Sequence, residues 1–395
     1  MRPAAIVLDG NQRSALATVR SLGRLGIPVI VAEARPRSLA ASSRFCGASL
    51  VCPDPSDQPD AFAQWLAGLD RRFPGAVVMP MTDITVPLVL RAAPAMGSLR
   101  TALPSLSAYE TASDKFALYN LARNAGVRAP QTSIVSRANV AQLDVQSLRF
   151  PVVVKPRLSA LRLAAGVIKR PVSYAHDARA LEHMIRTQLL DDSDELLLQE
   201  HVSGFGAGIF AIYDHGKPLF FFAHRRIREK PPSGGVSVVC ESAPVTADSI
   251  SIARSLLEPL QWHGVAMVEL KVDAAGQPWL IEVNARFWGS LQLAVDCGAR
   301  FPDYVYQLAA GLPLAVPKEY AVGRRLRWWL GDLDNLYLSL KSREHTPTLG
   351  DKLKAIGRFA LPWQPGLRYE FARPSDPAPA AFALRQYVGQ ILGRH

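Results

Sequence analysis

Two glutamates and an asparagine within residues 265–287 have the spacing of a metal site. The segment, VAMVELKVDAAGQPWLIEVNARF, reads as two short strands joined by a turn that contains glycine. Side chains alternate across a strand, so Glu269 marks one face of the first strand, while Leu280, Glu282 and Asn284 share a face of the second. Carboxylate and amide oxygens suit Mg²⁺, which completes its coordination with water and nucleotide phosphates. If the two faces coincide, the hairpin predicts a metal–nucleotide site.

Arg286 extends this pattern by two residues along the same face. A guanidinium there could bind a phosphate or a carboxylate through two parallel hydrogen bonds. The alternative is that the two glutamates pair with Lys271 and Arg286 on a solvated face. The residues around both glutamates are apolar, and a buried carboxylate is costly unless it is paired or bound to a metal. The apolar flanks therefore favour the metal site.

Lys155 closes the apolar strand FPVVVKP, where an unpaired ammonium would be costly. A phosphate partner would resolve that cost, although a lysine taken singly is more often a surface residue. The loop that follows, 157–169, has a single glycine, Gly166, together with Arg162 and Lys169. A phosphate-binding loop needs several glycines for its amides to reach the oxygens. This loop departs from that pattern, and either basic residue could compensate.

The segment 224–235, HRRIREKPPSGG, is strongly basic. One interpretation is a solvated, charged strand edge. The other is an anion-binding segment in which Arg226 holds a substrate carboxylate and Gly234 and Gly235 permit close approach of the backbone. We retain the second as a hypothesis.

The glycines of the preceding segment, Gly204, Gly206 and Gly208, are interpreted as a tight turn, because no helix follows them.

The first 100 residues predict a parallel, doubly wound α/β sheet. A strand at 4–8, a helix to about Leu25 and the strand PVIVAEA form a β-α-β start, and further strands are expected near 49–52 and 76–81. The first turn lacks GxGxxG, which argues against a nicotinamide cofactor. Thr82 or Asp83 is expected to cap the next helix.

The bulk composition indicates a globular protein of two or three domains. The chain has 395 residues, 49% hydrophobic and 20% charged, with a net charge of +11. The longest apolar runs are too short to span a membrane, and no signal peptide is expected. Four scattered cysteines indicate neither zinc nor a disulfide framework. We therefore expect a cytoplasmic protein that binds anions.

Residues 321–395 form a basic, aromatic extension. It carries twelve Lys and Arg against six Asp and Glu. A tail that packs Trp328, Trp329 and Trp363 against the main body is the preferred interpretation. The alternative is a peripheral contact with a membrane or a protein partner. No specific nucleic-acid partner is expected, and a homodimer is left open.

Five motifs in register resemble those of the ATP-grasp superfamily, and the resemblance covers about residues 1–315. It is closest to the carbamoyl-phosphate-synthase-like branch, which includes D-aspartate ligases and other carboxylate–amine ligases. The motifs are Asp114-Lys115, VVVKP ending at Lys155-Pro156, LLQEHVSG, AMVEL and IEVNARFWGS.

The resemblance implies a mixed α/β and α+β fold. A Rossmann-like preATP-grasp domain at 1–110 would precede two ATP-grasp subdomains at 111–195 and 196–320, with the extension at 321–395. ATP would lie between the two subdomains.

The resemblance also implies a role for each site residue. Lys115 and Lys155 would contact the phosphates or the adenine, and a strand-like hinge of Gln199, Glu200 and Val202 would read the adenine and ribose. Mg²⁺ or Mn²⁺ would be held by Glu269, Glu282 and Asn284. Arg286, with Lys155, would stabilise the transferring phosphoryl group.

The expected activity is that of an ADP-forming carboxylate–amine ligase. A small carboxylic acid would be activated as an acylphosphate and then attacked by an amine. One alternative is an enzyme of the carbamoyl-phosphate-synthase or carboxylase type that uses bicarbonate as the acid. Another is a regulatory or assembly protein that binds ATP without catalysis.

Overall fold

The computed structural model describes residues 2–158, 161–163, 166–168, 172–189, 195–341, 348–361 and 366–393, with the backbone alone at 161–163 and 166–168. The first unit has four parallel strands in the order β3-β2-β1-β4, as the sequence predicts. Strands β1 and β4 are buried along their whole length, which explains their unbroken apolar sequences. Its elements are β1 (Ala5–Val7), α1 (Arg13–Arg24), β2 (Val29–Glu33), β3 (Ala48–Val51), α2 (Pro59–Arg72), β4 (Val77–Met79) and α3 (Thr85–Ala92).

Two helices, α4 (Leu106–Ser113) and α5 (Lys115–Asn124), connect this unit to the next. Asp114 caps α5, since its side chain accepts hydrogen bonds from the amides of Phe116 and Ala117. Because Asp114 is the N-cap, Lys115 occupies the first position of the helix, and it is buried there.

The second unit contains an antiparallel sheet in the order β5-β10-β6-β9 and a separate hairpin of β7 and β8. The expected helix after Ala178 is present. Strand β10 carries the hinge motif and pairs inside this sheet rather than with the strands that follow it. The elements are β5 (Thr132–Val135), β6 (Val152–Pro156), β7 (Leu161–Leu163), β8 (Gly166–Ile168), β9 (Ser173–Ala175), α6 (Ala178–Gln188) and β10 (Leu196–Glu200).

The third unit is built on a seven-stranded sheet in the order β15-β14-β11-β12-β13-β16-β17. Its elements are β11 (Phe205–Asp214), β12 (Lys217–Lys230), β13 (Val236–Ala243), α7 (Ala247–Leu257), β14 (Gly264–Val272), β15 (Pro278–Asn284), α8 (Leu291–Asp296), α9 (Phe301–Ala310), β16 (Arg325–Arg327), α10 (Trp329–Leu340), α11 (Leu349–Ala360), β17 (Leu367–Tyr369) and α12 (Ala378–Ile391).

The glycine-rich segment at the start of this sheet corrects the sequence interpretation. Gly206 and Gly208 lie within strand β11 and not in a tight turn. Only Gly204 has the left-handed backbone, with φ of 145°, and a Cβ there would lie 2.0 Å from the carbonyl oxygen of Val272. The glycine spacing alone could not distinguish these cases, because the same spacing occurs in strands and in turns.

The C-terminal extension packs against the main body. Strands β16 and β17 extend the seven-stranded sheet, and one core cluster contains residues of the first unit, the central sheet and the extension, among them Val19, Phe210 and Leu326. Trp328 packs against this cluster as predicted, but Trp329 is 40% exposed. The prediction for Trp363 lies outside the described residues.

A buried ion pair holds the extension on helix α1. Arg20 and Asp376 are both 0% exposed, and the guanidinium nitrogen Nε of Arg20 donates to a carboxylate oxygen of Asp376 over 2.8 Å. Arg20 also donates to the carbonyl oxygens of Glu370 and Phe371. The other carboxylate oxygen of Asp376 accepts from the amide of Arg44.

Among the described helices, none is both long and apolar enough to cross a membrane.

Candidate active site

The hairpin of β14 and β15 brings the predicted metal ligands together. Glu269 pairs directly with Glu282 across the two strands, and Met267 pairs with Asn284. An irregularity after Glu269 then shifts the register, so that Leu270 faces Leu280. A shift of one residue turns a side chain to the opposite face of a sheet.

The expectation that Leu280 shares the face of the glutamates is therefore wrong. Leu280 is fully buried in the core on the other side of the sheet. The bulge has no signal in the sequence, because the apolar pattern on both sides of it remains regular.

Burial and neighbouring charges shift the pKa values of the two carboxylates in opposite directions. Burial raises the pKa of Glu269, and repulsion from Glu282 adds to the effect, although the attraction of Arg226 opposes it. Burial also acts to raise the pKa of Glu282, but the charge of Lys115, the hydrogen bond from Asn284 and the charge of Lys155 together lower it. Asn284 Nδ2 donates to Glu282 Oε1 over 2.9 Å.

This donor set fits Mg²⁺ or Mn²⁺. The carboxylates of Glu269 and Glu282 lie on directly paired residues, and the side chain of Asn284 already contacts one of them. Two carboxylates and an amide carbonyl are hard oxygen ligands, and few protein ligands leave room for phosphates and water.

Arg226 lies beside Glu269 and Glu282, and its guanidinium already has hydrogen-bond partners. It donates to Glu269 over 2.7 Å, to Glu229 over 2.8 Å and to the carbonyl oxygen of Gly235 over 2.9 Å. Gly206 on the neighbouring strand leaves space for it, since a Cβ there would lie 2.8 Å from Arg226 Cδ. The described structure thus commits Arg226 to acidic partners, and the hypothesis that it holds a substrate carboxylate stays untested.

The rest of the basic segment is paired as well. Strand β12 is internal to the sheet, between β11 and β13, so the interpretation as a solvated edge is wrong. Its cations have acidic partners on neighbouring segments: Arg225 with Glu241, Arg228 with Asp332 and Lys230 with Asp334.

Lys155 is a buried cation at the end of β6. It is 3% exposed and donates to the hydroxyl of Tyr119 over 2.6 Å and to Gln199 Oε1 over 2.7 Å. Burial lowers its pKa to about 8, although the charges of Glu282 and Glu269 oppose that change. Lys115 is 5% exposed, and burial lowers its pKa too, against the attraction of Glu282.

The titration of Lys155 predicts how nucleotide affinity depends on pH. Above about pH 8 its ammonium loses the proton in the free protein, whereas bound phosphate oxygens would favour the charged form. Affinity for a Mg²⁺ complex of a non-hydrolysable ATP analogue should fall as pH rises from 8 towards 10, by up to about tenfold per unit. Calorimetric titration measures it, and Lys155→Met should bind more weakly with a flatter profile. An unchanged slope in that variant would refute the assignment.

Arg286 connects the hairpin to the first unit. Its Nε donates to Asp83 over 2.8 Å and its Nη1 to the carbonyl oxygen of Phe287 over 3.0 Å. Burial acts to lower the pKa of Arg286, but the charge of Asp83, the hydrogen bond to it and the charge of Glu282 together raise the pKa. Of the two residues expected to cap the next helix, it is Thr82 whose Oγ1 accepts the amide of Thr85 at the start of α3, while Asp83 pairs with Arg286.

These residues line one cleft of about 380 Å³ between the second and third units, a size typical of small-molecule sites. All ten predicted site residues line it: Lys115, Lys155, Gln199, Glu200, Val202, Arg226, Glu269, Glu282, Asn284 and Arg286. The structure does not describe the side chains of Arg162 and Lys169, so the compensation suggested for the glycine-poor loop stays a prediction.

One end of the cleft is apolar and carries the hinge. Val153, Leu270 and Ile281 line it together with Val202. An apolar slot suits a flat base, because the base buries its faces against the apolar walls.

The structure adds residues that the sequence reasoning missed. Tyr119 accepts from Lys155 and donates to the carbonyl oxygen of Ile281 over 2.6 Å, so it joins the two sides of the cleft. Asp83 orients Arg286, and Arg13 of helix α1 lines the cleft from the first unit. Tyr119 could have been recognised from the sequence, since it lies one helical turn after Lys115. The contact of Arg13 with Ser237 spans 224 residues, and no sequence pattern indicates it.

A family model described as "ATP-grasp in the biosynthetic pathway with Ter operon" matches residues 192–329. An uncharacterised protein, y4sG, of Sinorhizobium fredii (strain NBRC 101917 / NGR234) is 25% identical over 188 residues, which are 44% of this chain. The match spans 52% of the length of that relative.

Several solved structures share the fold over most of their length. The ADP complex of PurK, an N5-carboxyaminoimidazole ribonucleotide synthetase, has a TM-score of 0.63 at 16% identity, covering 82% of this chain and 81% of its own. An L-amino acid ligase from Bacillus licheniformis has a TM-score of 0.63 at 18% identity, covering 82% and 80%. A biotin carboxylase from Campylobacter jejuni has a TM-score of 0.61 at 15% identity, covering 82% and 74%.

The family model thus matches residues 192–329 to an ATP-grasp family, and the solved structures share the fold over 82% of the chain. This confirms the superfamily and the mixed fold predicted from the motifs.

Proposed function

We propose that the protein is an ATP- and Mg²⁺-dependent ligase that activates a carboxylate as an acylphosphate and joins it to an amine. The observation that carries the proposal is the cross-strand pair of Glu269 and Glu282, with Lys115 and Lys155 buried beside it in one cleft. The names of similar structures, an L-amino acid ligase and carboxylating synthetases, support the same class of chemistry.

The chemical problem is repulsion. A carboxylate must approach a γ-phosphate whose oxygens are themselves negative, so catalysis requires positioning and compensation of charge. Bound Mg²⁺ on Glu269, Glu282 and Asn284 would supply charge neutralisation at the phosphates. Lys155, held by Tyr119 and Gln199, supplies a cation whose position is fixed before the nucleotide arrives.

The proposed steps balance without a protein nucleophile. A carboxylate oxygen attacks the γ-phosphorus, the bond to the bridging oxygen breaks, and ADP leaves. The amine then attacks the acyl carbon, phosphate leaves with that carboxylate oxygen, and the ammonium proton passes to solvent or to a neighbouring base. Arg286, anchored by Asp83, stabilises the phosphoryl group in transit.

The direct test is phosphate release from ATP and Mg²⁺ with pooled amino acids and small carboxylic acids. Release that depends on both an acid and an amine supports a ligase. Release with bicarbonate alone would favour the carboxylase-type alternative. Nucleotide binding by calorimetry with no release under any mixture would point to a protein that binds ATP without catalysis.

A further inference from the structure

The cleft continues past the proposed phosphate site to an inner end. The residues that line it there are Arg13, His224, Ser237, Trp288, Gly289 and Ser290. In the sheet order, β13 is three strands from β14, which is about 14 Å at the usual strand spacing. Ser237, on β13, marks the far side of this end, whereas His224 lies one strand nearer on β12 and Trp288 follows β15.

Arg13 is held at this end by several segments. Its Nη1 donates to Glu370 Oε2 over 2.9 Å and to the carbonyl oxygen of Ser237 over 3.5 Å. Its guanidinium lies 4.3 Å from the centre of the Trp328 ring, a cation–π contact. Gly289 permits the approach, because a Cβ there would lie 2.4 Å from Arg13 Nη2.

The C-terminal extension does not need the contacts of Arg13 to stay on helix α1. Arg20, on the same helix, already joins α1 to the extension through Asp376, and that pair is 0% exposed. The Arg13 side chain is instead 14% exposed and borders the cleft. The hydrogen bonds of its guanidinium to described residues both come from Nη1, so Nε and Nη2 retain donors for a ligand.

The inner wall is rich in donors. Trp288 Nε1 is buried without a hydrogen-bond partner among the described residues, and an indole N–H can only donate. His224 is 2% exposed; its Nδ1 lies 3.3 Å from Ser290 Oγ, and its Nε2 has no such partner among those residues. Burial lowers the pKa of His224 to about 3, so its imidazole is neutral and Arg13 supplies the charge. A buried indole N–H without an acceptor, as in Trp288, indicates a ligand with acceptor oxygens.

We propose that the inner end binds a second anionic group of the acid substrate, a carboxylate or a phosphate, through a direct contact with Arg13. Glu370 and Trp328 of the C-terminal extension position that guanidinium. The substrate class is thus a small acid with two anionic groups, one of which reacts. This inference rests on the proposed ligase function.

The test measures acid binding apart from turnover. Acids are titrated calorimetrically into protein saturated with Mg²⁺ and a non-hydrolysable ATP analogue. The probes with two anionic groups, called dianionic here, are aspartate, glutamate, succinate and O-phosphoserine, and those with one, called monoanionic, are alanine, butyrate and serine. We expect at least one dianion to bind at least tenfold more tightly than its monoanionic counterpart, and O-phosphoserine against aspartate distinguishes phosphate from carboxylate.

The variants separate recognition from structure. Arg13→Met should lower affinity for the dianion at least tenfold and leave nucleotide affinity within twofold, and Arg13→Lys, which keeps the charge, should recover part of the loss. Arg71→Met, an exposed arginine on α2, should change neither. Glu370→Gln should weaken acid binding without affecting the nucleotide.

Three results would overturn this proposal: no dianion binds, monoanions bind equally well, or both Arg13 variants lose nucleotide and acid together. The phosphate-release assay reports on the ligase independently. Release stimulated by a monocarboxylate, with no binding of any dianion, would refute the inner anion site and leave the ligase proposal standing.

Discussion

Glu282→Gln should lower the rate of acid-dependent phosphate release by about 10²–10³-fold, the loss typical when one electrostatic contact to a transition state is removed. The change keeps the shape of the side chain and removes one charge from a pair that lies directly across two strands. It also deprives Lys115 and Lys155 of the carboxylate that helps keep them protonated.

The measurement is steady-state phosphate release with saturating ATP and Mg²⁺. Glu182→Gln is the matched control, because Glu182 is exposed on helix α6, away from the cleft. The control should retain the wild-type rate. If Glu282→Gln kept more than about a tenth of the activity while folding normally, the hairpin would not be the metal–nucleotide site.

Arg20→Met should destabilise the protein by about 3–5 kcal/mol, the cost of leaving one charge of a buried pair without its partner. Arg20 and Asp376 are both 0% exposed, and the guanidinium also satisfies carbonyl oxygens of the extension. Urea unfolding should show the loss, and limited proteolysis should cut first within 366–393.

The controls for this prediction lie on the same helix. Arg24→Met, whose exposed side chain donates to Ser375 and lies over the ring of Phe45, should cost less than about 1 kcal/mol. The double variant Arg20→Met/Asp376→Leu should recover part of the stability, because apolar residues of similar size can replace a buried ion pair. Equal stability of wild type and Arg20→Met would show that the extension is held by its apolar contacts alone.

The parts of the fold that follow from local pattern were predictable. The short apolar runs of the first unit predicted its parallel strands. Glu269, Glu282 and Asn284 were found because alternation on two adjacent strands is also a local rule.

Predictions failed where long-range contacts or a local irregularity decide the structure. The bulge after Glu269 turned Leu280 away from the glutamates, and Asp83 pairs with Arg286 across 203 residues. Arg13 meets Glu370 from the other end of the chain. One sequence contains no signal for such pairings, because they depend on how sheets and helices pack.

The central claim is that a carboxylate oxygen attacks the γ-phosphorus of ATP. The most direct measurement uses the acid identified in the release assay, labelled with ¹⁸O in its carboxyl group, and determines the mass of the released phosphate. The proposed chemistry predicts one ¹⁸O atom per phosphate, since the acylphosphate oxygen leaves with phosphorus when the amine attacks. Phosphate free of label, formed while the amide product accumulates, would contradict the acylphosphate and with it the proposed mechanism.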